Sequence, residues 1–190
     1  MSVTLRAASP CAWLEAVLAD FNAFLLDHAS AERKAAAMAV SFVVQYPDKF
    51  ALHKPMIQLA REELLHYQQV MALIHERNLI WERDTKDPYV TCLIGMMSTD
   101  SEMRLLDRLL VGAVVEARGV ERFGLIGGQL KDELGAFYTK LSQSESRHTR
   151  SFLSLARHYF EPLPIEKRLD RWLDLEAEAM EAVPPRAALH

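Results

Sequence analysis

The sequence has few of the residues that build strands and tight turns. Glycine and proline supply 7 and 8 of the 190 residues, about 8% where ~12% is usual. Valine, isoleucine and threonine together number 24, against 51 alanines and leucines. Because alanine and leucine favour helices and β-branched residues favour strands, this balance predicts an all-α protein.

Long apolar runs and cysteines are also scarce. The longest segment without a charged side chain, residues 35–47, has 13 residues, whereas a bilayer-spanning helix needs about 20. The N-terminus lacks an apolar block of the kind that secretory signals carry. The two cysteines, Cys11 and Cys92, are predicted to be reduced and buried. We therefore expect a cytoplasmic protein with no membrane partner.

Apolar periodicity predicts four long helices at about 21–46, 55–78, 99–128 and 129–159. A connection at 79–98 with a short helix near 89–97 separates the second from the third, and a last amphipathic helix covers about 165–182. This pattern predicts a four-helix bundle with one long crossover and flanking helices. We expect one domain over 1–190, with its core at about 21–160.

Two Glu-x-x-His motifs carry the candidate chemistry. Glu63 and His66 lie three residues apart on the second long helix, and Glu145 and His148 repeat the arrangement on the fourth. Residues three apart share one face of a helix. In both helices this is the apolar face, so each carboxylate and imidazole pair should point inward.

A lone glutamate on the preceding long helix accompanies each motif. Glu32 and Glu116 interrupt stripes of small or apolar residues, 31 and 29 residues before Glu63 and Glu145. These similar intervals are expected of two antiparallel helix hairpins whose polar residues meet at one level. The chain is thus a tandem of Glu followed by Glu-x-x-His.

Four carboxylates and two imidazoles in an apolar core need a strong cationic partner, because a buried lone carboxylate would otherwise take up a proton. Oxygen-rich ligation with one imidazole per ion suits two iron or manganese ions, whereas zinc and iron–sulfur sites favour thiolates. This ligand set is that of carboxylate-bridged dimetal helical bundles. The predicted metal ligands are Glu32, Glu63, His66, Glu116, Glu145 and His148. His28, one helical turn before Glu32, is a candidate for supporting that ligand.

The segments around these residues resemble the tRNA-(2-methylthio-isopentenyladenosine) hydroxylase family, MiaE, within the ferritin-like superfamily. They are 27–29 (DHA), 32–36 (ERKAA), 60–66 (AREELLH), 116–118 (EAR), 121–123 (ERF) and 145–148 (ESRH). The resemblance spans about 27–156, and all six ligand positions match.

The resemblance implies a non-haem diiron monooxygenase that hydroxylates the isopentenyl group of a hypermodified adenosine beside the tRNA anticodon. It also implies two iron ions per chain, dioxygen as co-substrate and an electron donor of unknown identity. An isopentenyl group has unactivated C–H bonds and no handle for acid–base catalysis, so a redox metal suits the reaction.

A tRNA substrate requires a local basic surface, because the net charge of −4 opposes nucleic-acid binding. Basic residues near the ligands are candidates for phosphate contacts, although solvated helix faces would explain each of them singly. Glu121 and Glu176 are predicted to be surface charges. The basic candidates are Arg33, Lys34, Arg61, Arg118, Arg122, Arg147 and Arg150.

Three other interpretations use the same residues. A ferroxidase or iron-storage protein has the same six ligands, and a manganese catalase or rubrerythrin-like peroxidase is a second enzymatic alternative. A helical interaction module whose buried glutamates and histidines pair with each other is the non-enzymatic alternative.

Overall fold

The computed structural model describes residues 3–81, 84 and 86–190. Within these residues the chain forms seven α-helices and no strand, which confirms the all-α prediction. The helices are α1 (Cys11–Ala19), α2 (Phe21–Gln45), α3 (Phe50–Glu76), α4 (Pro88–Gly95), α5 (Ser101–Gln129), α6 (Glu133–Tyr159) and α7 (Pro162–Ala182). No helix in the described part of the chain is long and apolar enough to cross a bilayer.

Contacts divide the chain into two compact units, one of which comprises Cys11–Thr85 and Pro185–Leu189. Within it, α2 and α3 pack together as an antiparallel hairpin, and α1 packs on α2. Helix α2 begins after Asp20, whose side chain accepts a hydrogen bond from the Ala23 N–H at 3.0 Å. This N-cap provides an acceptor for one of the backbone N–H groups that have no intrahelical partner at the start of a helix.

Helix α3 begins at Phe50, five residues before the predicted start at Pro55. Leu52 is fully buried one turn before the buried Met56, so the apolar stripe of the helix extends to the N-terminal side of the proline. Burial of that extra turn offsets the hydrogen bond that Pro55 cannot donate.

The other unit comprises Met1–Pro10, Lys86–Pro184 and His190. Helices α5 and α6 form its long hairpin, and α7 packs mainly on α5. Asp100 and Asp132 cap α5 and α6 by accepting hydrogen bonds from the Met103 and Gly135 N–H groups. The Asp132 cap explains why α6 begins at Glu133 and not near 129 as predicted.

The buried Asp107 of α5 fastens α7 to this hairpin. Its carboxylate accepts hydrogen bonds from the Arg168 guanidinium and the Trp172 indole at 2.6 and 2.9 Å, and from the Ser98 N–H at 2.7 Å. Burial alone would raise the pKa of Asp107, but these donors together hold it below its usual value. The appended C-terminal helix is thus an integral part of its unit.

One smaller expectation is corrected, and another agrees with the structure. Both cysteines are free, but Cys11 and Cys92 are exposed, because each lies on the outward face of a short helix. The predicted crossover at 79–98 contains α4, as expected, while its residues 82, 83 and 85 lie outside the described part of the chain.

Candidate metal-binding residues

The α2–α3 hairpin brings three of the predicted ligands together. Glu32, Glu63 and His66 are all buried, and one ligand atom from each can be chosen so that the three lie within 4.8 Å of one another. His66 Nδ1 is 3.1 Å from Glu63 Oε2 and 3.7 Å from Glu32 Oε2. We call these residues the α2–α3 triad.

The α2–α3 triad favours a positive charge. Burial by itself would lower the pKa of His66, but the hydrogen bond to Glu63 and the nearby carboxylate charges of Glu32 and Glu63 raise it to about 10. The two buried carboxylates therefore favour a positive charge on the imidazole beside them. A metal ion coordinated by the same atoms would supply that charge in its place.

The α5–α6 hairpin repeats the arrangement with Glu116, Glu145 and His148, which are also buried. One ligand atom from each again lies within 4.8 Å of the others. His148 Nδ1 is 2.9 Å from Glu145 Oε2 and 3.9 Å from Glu116 Oε2. In this α5–α6 triad, as in the other, Nδ1 is the imidazole nitrogen that faces the carboxylates.

The residue one helical turn before the first glutamate differs between the two triads. His28 is fully buried, and its Nε2 is 2.6 Å from Glu32 Oε1. Because an ionised carboxylate only accepts hydrogen bonds, His28 donates this one and fixes the orientation of Glu32. The matching position before Glu116 is Gly112, where an added Cβ would lie 2.8 Å from the Phe152 ring. A hydrogen-bonded imidazole in one hairpin thus corresponds to a close apolar contact in the other.

Replacing His28 by phenylalanine should weaken metal binding about 10- to 100-fold, the usual effect of losing a hydrogen bond to a ligand, while the ring preserves most of the packing. The measurement is calorimetric titration of metal-free protein with Mn²⁺. His75→Phe is the control, because His75 is exposed on the same hairpin. Equal Mn²⁺ affinity in the wild type and the His28→Phe variant would contradict the positioning role.

Two of the predicted phosphate contacts are wrong. Arg118 is fully buried and Arg122 is 3% exposed, so neither can contact a nucleic acid. Arg118 pairs with the equally buried Glu176 at 2.7 Å and donates to the Ala7 carbonyl at 2.8 Å. Glu176 is therefore not a surface charge, because α7 and residues 7–9 cover this side of α5.

The same buried network contains Tyr89, which donates to Glu176 Oε1 at 3.1 Å, and Ser9, whose hydroxyl accepts from Arg122 Nε at 3.1 Å. Burial and the neighbouring Arg118 lower the pKa of Arg122 to about 10, so it remains protonated at neutral pH. Glu121 is partly buried, pairs with Arg118 and accepts hydrogen bonds from Ser9.

The other basic candidates are exposed: Arg33, Lys34, Arg61, Arg147 and Arg150.

Comparison with known proteins places the chain in a family. All of residues 1–190 match the model of the family described as "MiaE: tRNA-(MS[2]IO[6]A)-hydroxylase". The chain belongs to the MiaE family. This membership confirms the resemblance identified from the sequence motifs.

Two curated relatives of this MiaE-family chain are named tRNA 2-(methylsulfanyl)-N(6)-isopentenyladenosine(37) hydroxylase. The protein of Pseudomonas putida is 35% identical over 186 residues, which is 98% of this chain and 91% of the relative. The protein of Salmonella typhimurium is 35% identical over 102 residues, or 54% of this chain and 38% of the relative.

Among solved structures, a protein from Synechococcus described as having aldehyde deformylating oxygenase activity has a TM-score of 0.92 and 33% identity. The match covers 98% of this chain and 94% of that one. This likeness confirms the predicted ferritin-like, all-α fold.

Proposed function

We propose that this MiaE-family protein is a dioxygen-dependent tRNA hydroxylase that acts on the isopentenyl group of a 2-methylthio-isopentenyladenosine next to the anticodon. The observation that carries the proposal is the whole-chain family match to tRNA hydroxylases in a protein with two buried Glu/Glu/His triads. A tRNA substrate also implies that the protein acts in the cytoplasm.

Each of the α2–α3 and α5–α6 triads is proposed to hold one iron ion, which gives two iron ions per chain. The donor atoms fit such ions, because each triad offers two carboxylates and one imidazole, and hard oxygen donors with one imidazole suit iron or manganese. The raised pKa of His66 supports this proposal, because it indicates that positive charge is favoured beside Glu32 and Glu63. When bound, the iron ions would supply the dioxygen activation and redox chemistry that no side chain of the triads can perform.

The side chains of this protein are proposed to bind the iron ions and to fix the orientation of their ligands. Glu32, Glu63, Glu116 and Glu145 balance the charge of the cations, and His66 and His148 complete the ligand set through Nδ1. His28 holds Glu32 in place by its hydrogen bond. Burial of all six proposed ligands keeps bulk water from this chemistry.

Hydroxylation places one oxygen atom of dioxygen on carbon and releases the other as water, so it consumes two electrons and two protons. An external reductant must supply those electrons. The decisive test combines reduced, iron-loaded protein, dioxygen and tRNA that carries the isopentenylated base, followed by mass analysis of the nucleosides. We expect one added oxygen atom on the isopentenyl group.

An unchanged nucleoside, with reduction of the iron verified, would overturn the hydroxylase assignment. The same preparation should then be assayed for peroxide turnover and iron oxidation, which are the activities of the alternative ferritin-like enzymes. Size measurement supplies a further discriminator, because an iron-storage protein would assemble into a cage.

A further inference from the structure

Beyond Glu133 at its first position, the solvent-facing side of α6 carries cations and no carboxylate. Four cations are exposed on it, together with the polar side chains of Gln143, Ser154 and His158. Between residues 134 and 159 the helix has a single carboxylate, Glu145, which is buried. The cations, which we call the α6 basic face, are Lys140, Arg147, Arg150 and Arg157.

The spacing of these cations aligns them along one line. At 100° per residue they project about 120–220° around the helix from Glu145, which is the side opposite the proposed ligand. From Lys140 to Arg157 the α6 basic face is about 26 Å long at 1.5 Å per residue. Helix α6 therefore carries metal-ligand residues on its inner side and a line of positive charge on its outer side.

Local hydrogen bonds hold two of these guanidinium groups along the helix. Arg147 donates to the Gln143 carbonyl and the Ser144 hydroxyl at 3.3 and 3.0 Å, and Arg150 donates to the Ser146 hydroxyl at 2.8 Å. These acceptors are neutral. They hold the guanidinium groups along the helix without removing their charge.

Helix α7 of the same unit shows that the basic face is not a general property of the surface. Its exposed side carries Lys167 and Arg171 among five carboxylates. Arg6 pairs with two of these, Asp170 and Asp174. The net charge of −4 thus hides a segregation of charge between the outer sides of α6 and α7.

We propose that the α6 basic face binds the phosphate backbone of the tRNA anticodon stem-loop. This inference rests on the tRNA substrate of the proposed function and assigns its docking surface. Lysine and arginine bind phosphates by charge, and Gln, Ser and His add hydrogen bonds of the kind that position a nucleic acid. No other class of partner fits the composition of this face as well.

An anionic membrane and an acidic protein are less suitable partners. A helix that lies on a membrane inserts large apolar side chains, and a protein interface usually buries an apolar centre. None of the exposed large apolar side chains in the described chain lies on α6. A surface of cations and small polar groups is typical of phosphate contacts.

Docking of tRNA on α6 would also set the distance between its phosphate backbone and the proposed metal ligands on this helix. Arg147 and Arg150 flank His148 in sequence, and one helix thickness, about 10–12 Å, separates the outer and inner sides of α6. Bases in single-stranded RNA loops can be splayed out of the stack. A phosphate held on this rigid helix would keep the adjacent modified base within reach of the α5–α6 triad.

The test compares two double variants that remove the same charge from one unit. Arg147→Gln/Arg150→Gln changes the α6 basic face, and Lys167→Gln/Arg171→Gln changes α7. The probe is a fluorescently labelled RNA hairpin with the anticodon stem-loop sequence, and its affinity is measured by anisotropy at several salt concentrations.

We expect the α6 variant to bind the hairpin about tenfold or more weakly at 0.1 M salt, and the slope of log affinity against log salt to decrease by about 1.5. The α7 variant should bind like the wild type. Iron content and helical circular dichroism should persist in both variants, because the substituted side chains are exposed and Gln retains helix propensity.

An equal loss of affinity in both variants would overturn the assignment of the docking surface, even if tRNA hydroxylation is observed. Unchanged affinity in the α6 variant would overturn it as well. Wild-type protein that binds phosphatidylserine vesicles through α6 but not the hairpin would also overturn it. Conversely, hairpin binding that depends on α6, in a protein that leaves the tRNA nucleoside unchanged, would support the surface and refute the proposed function.

Discussion

Replacing Glu63 by glutamine is expected to lower iron binding to below about half of the wild-type content and hydroxylation by more than about 100-fold. Loss of a residue that only supports a ligand commonly reduces metal affinity or activity 10- to 100-fold, so loss of a charged ligand should exceed that range. Glu145→Gln should have the same effect, because Glu145 occupies the corresponding place in the α5–α6 triad. Iron analysis of the reconstituted protein and single-turnover hydroxylation are the two measurements.

Glu62 provides a matched control in the adjacent position of the same helix. It is half-buried, whereas Glu63 is 1% exposed, so the two carboxylates face different surroundings. Glu62→Gln should retain iron and activity. If both variants lose iron equally, the charge of this segment and not a specific ligand is responsible, and the assignment of the metal-binding face is wrong.

Breaking the Arg118–Glu176 ion pair should produce the largest loss of stability outside the metal ligands. Both side chains are fully buried and 2.7 Å apart. Arg118→Met would leave the charge of Glu176 without its buried cation, which typically lowers the free energy of unfolding by about 3–5 kcal/mol. For a chain of this size, we expect the melting temperature to fall by about 10 °C.

Arg6 is the control, because its partners Asp170 and Asp174 are largely exposed. Exposed ion pairs contribute about 0–1 kcal/mol, so Arg6→Ala should leave the melting temperature nearly unchanged. The double variant Arg118→Met/Glu176→Met should be more stable than Arg118→Met alone, since it removes the uncompensated charge. Thermal melts in which Arg118→Met and Arg6→Ala behave alike would contradict a buried, desolvated pair.

The pattern of the sequence was sufficient to predict the helices and the proposed metal ligands. Helical periodicity states which residues share a face, and a glutamate such as Glu32 within a small-residue stripe must be buried. Burial of a carboxylate then requires a cationic partner, so local pattern and chemistry led to the same six residues. The family resemblance followed from the same motifs, because those motifs contain the ligands.

Tertiary structure decided the surroundings of these residues. Arg118 and Arg122 are ordinary basic residues in sequence, but α7 and residues 7–9 cover them, and a contact between residues more than 50 positions apart has no local periodic signal. The start of α3 was likewise decided by packing, since burial of Leu52 outweighs the preference of Pro55 for a helix start. Sequence alone determined that the six proposed ligands point inward, because helical periodicity is local. The fold determined which other charges remain available to a partner, because their burial depends on segments distant along the chain.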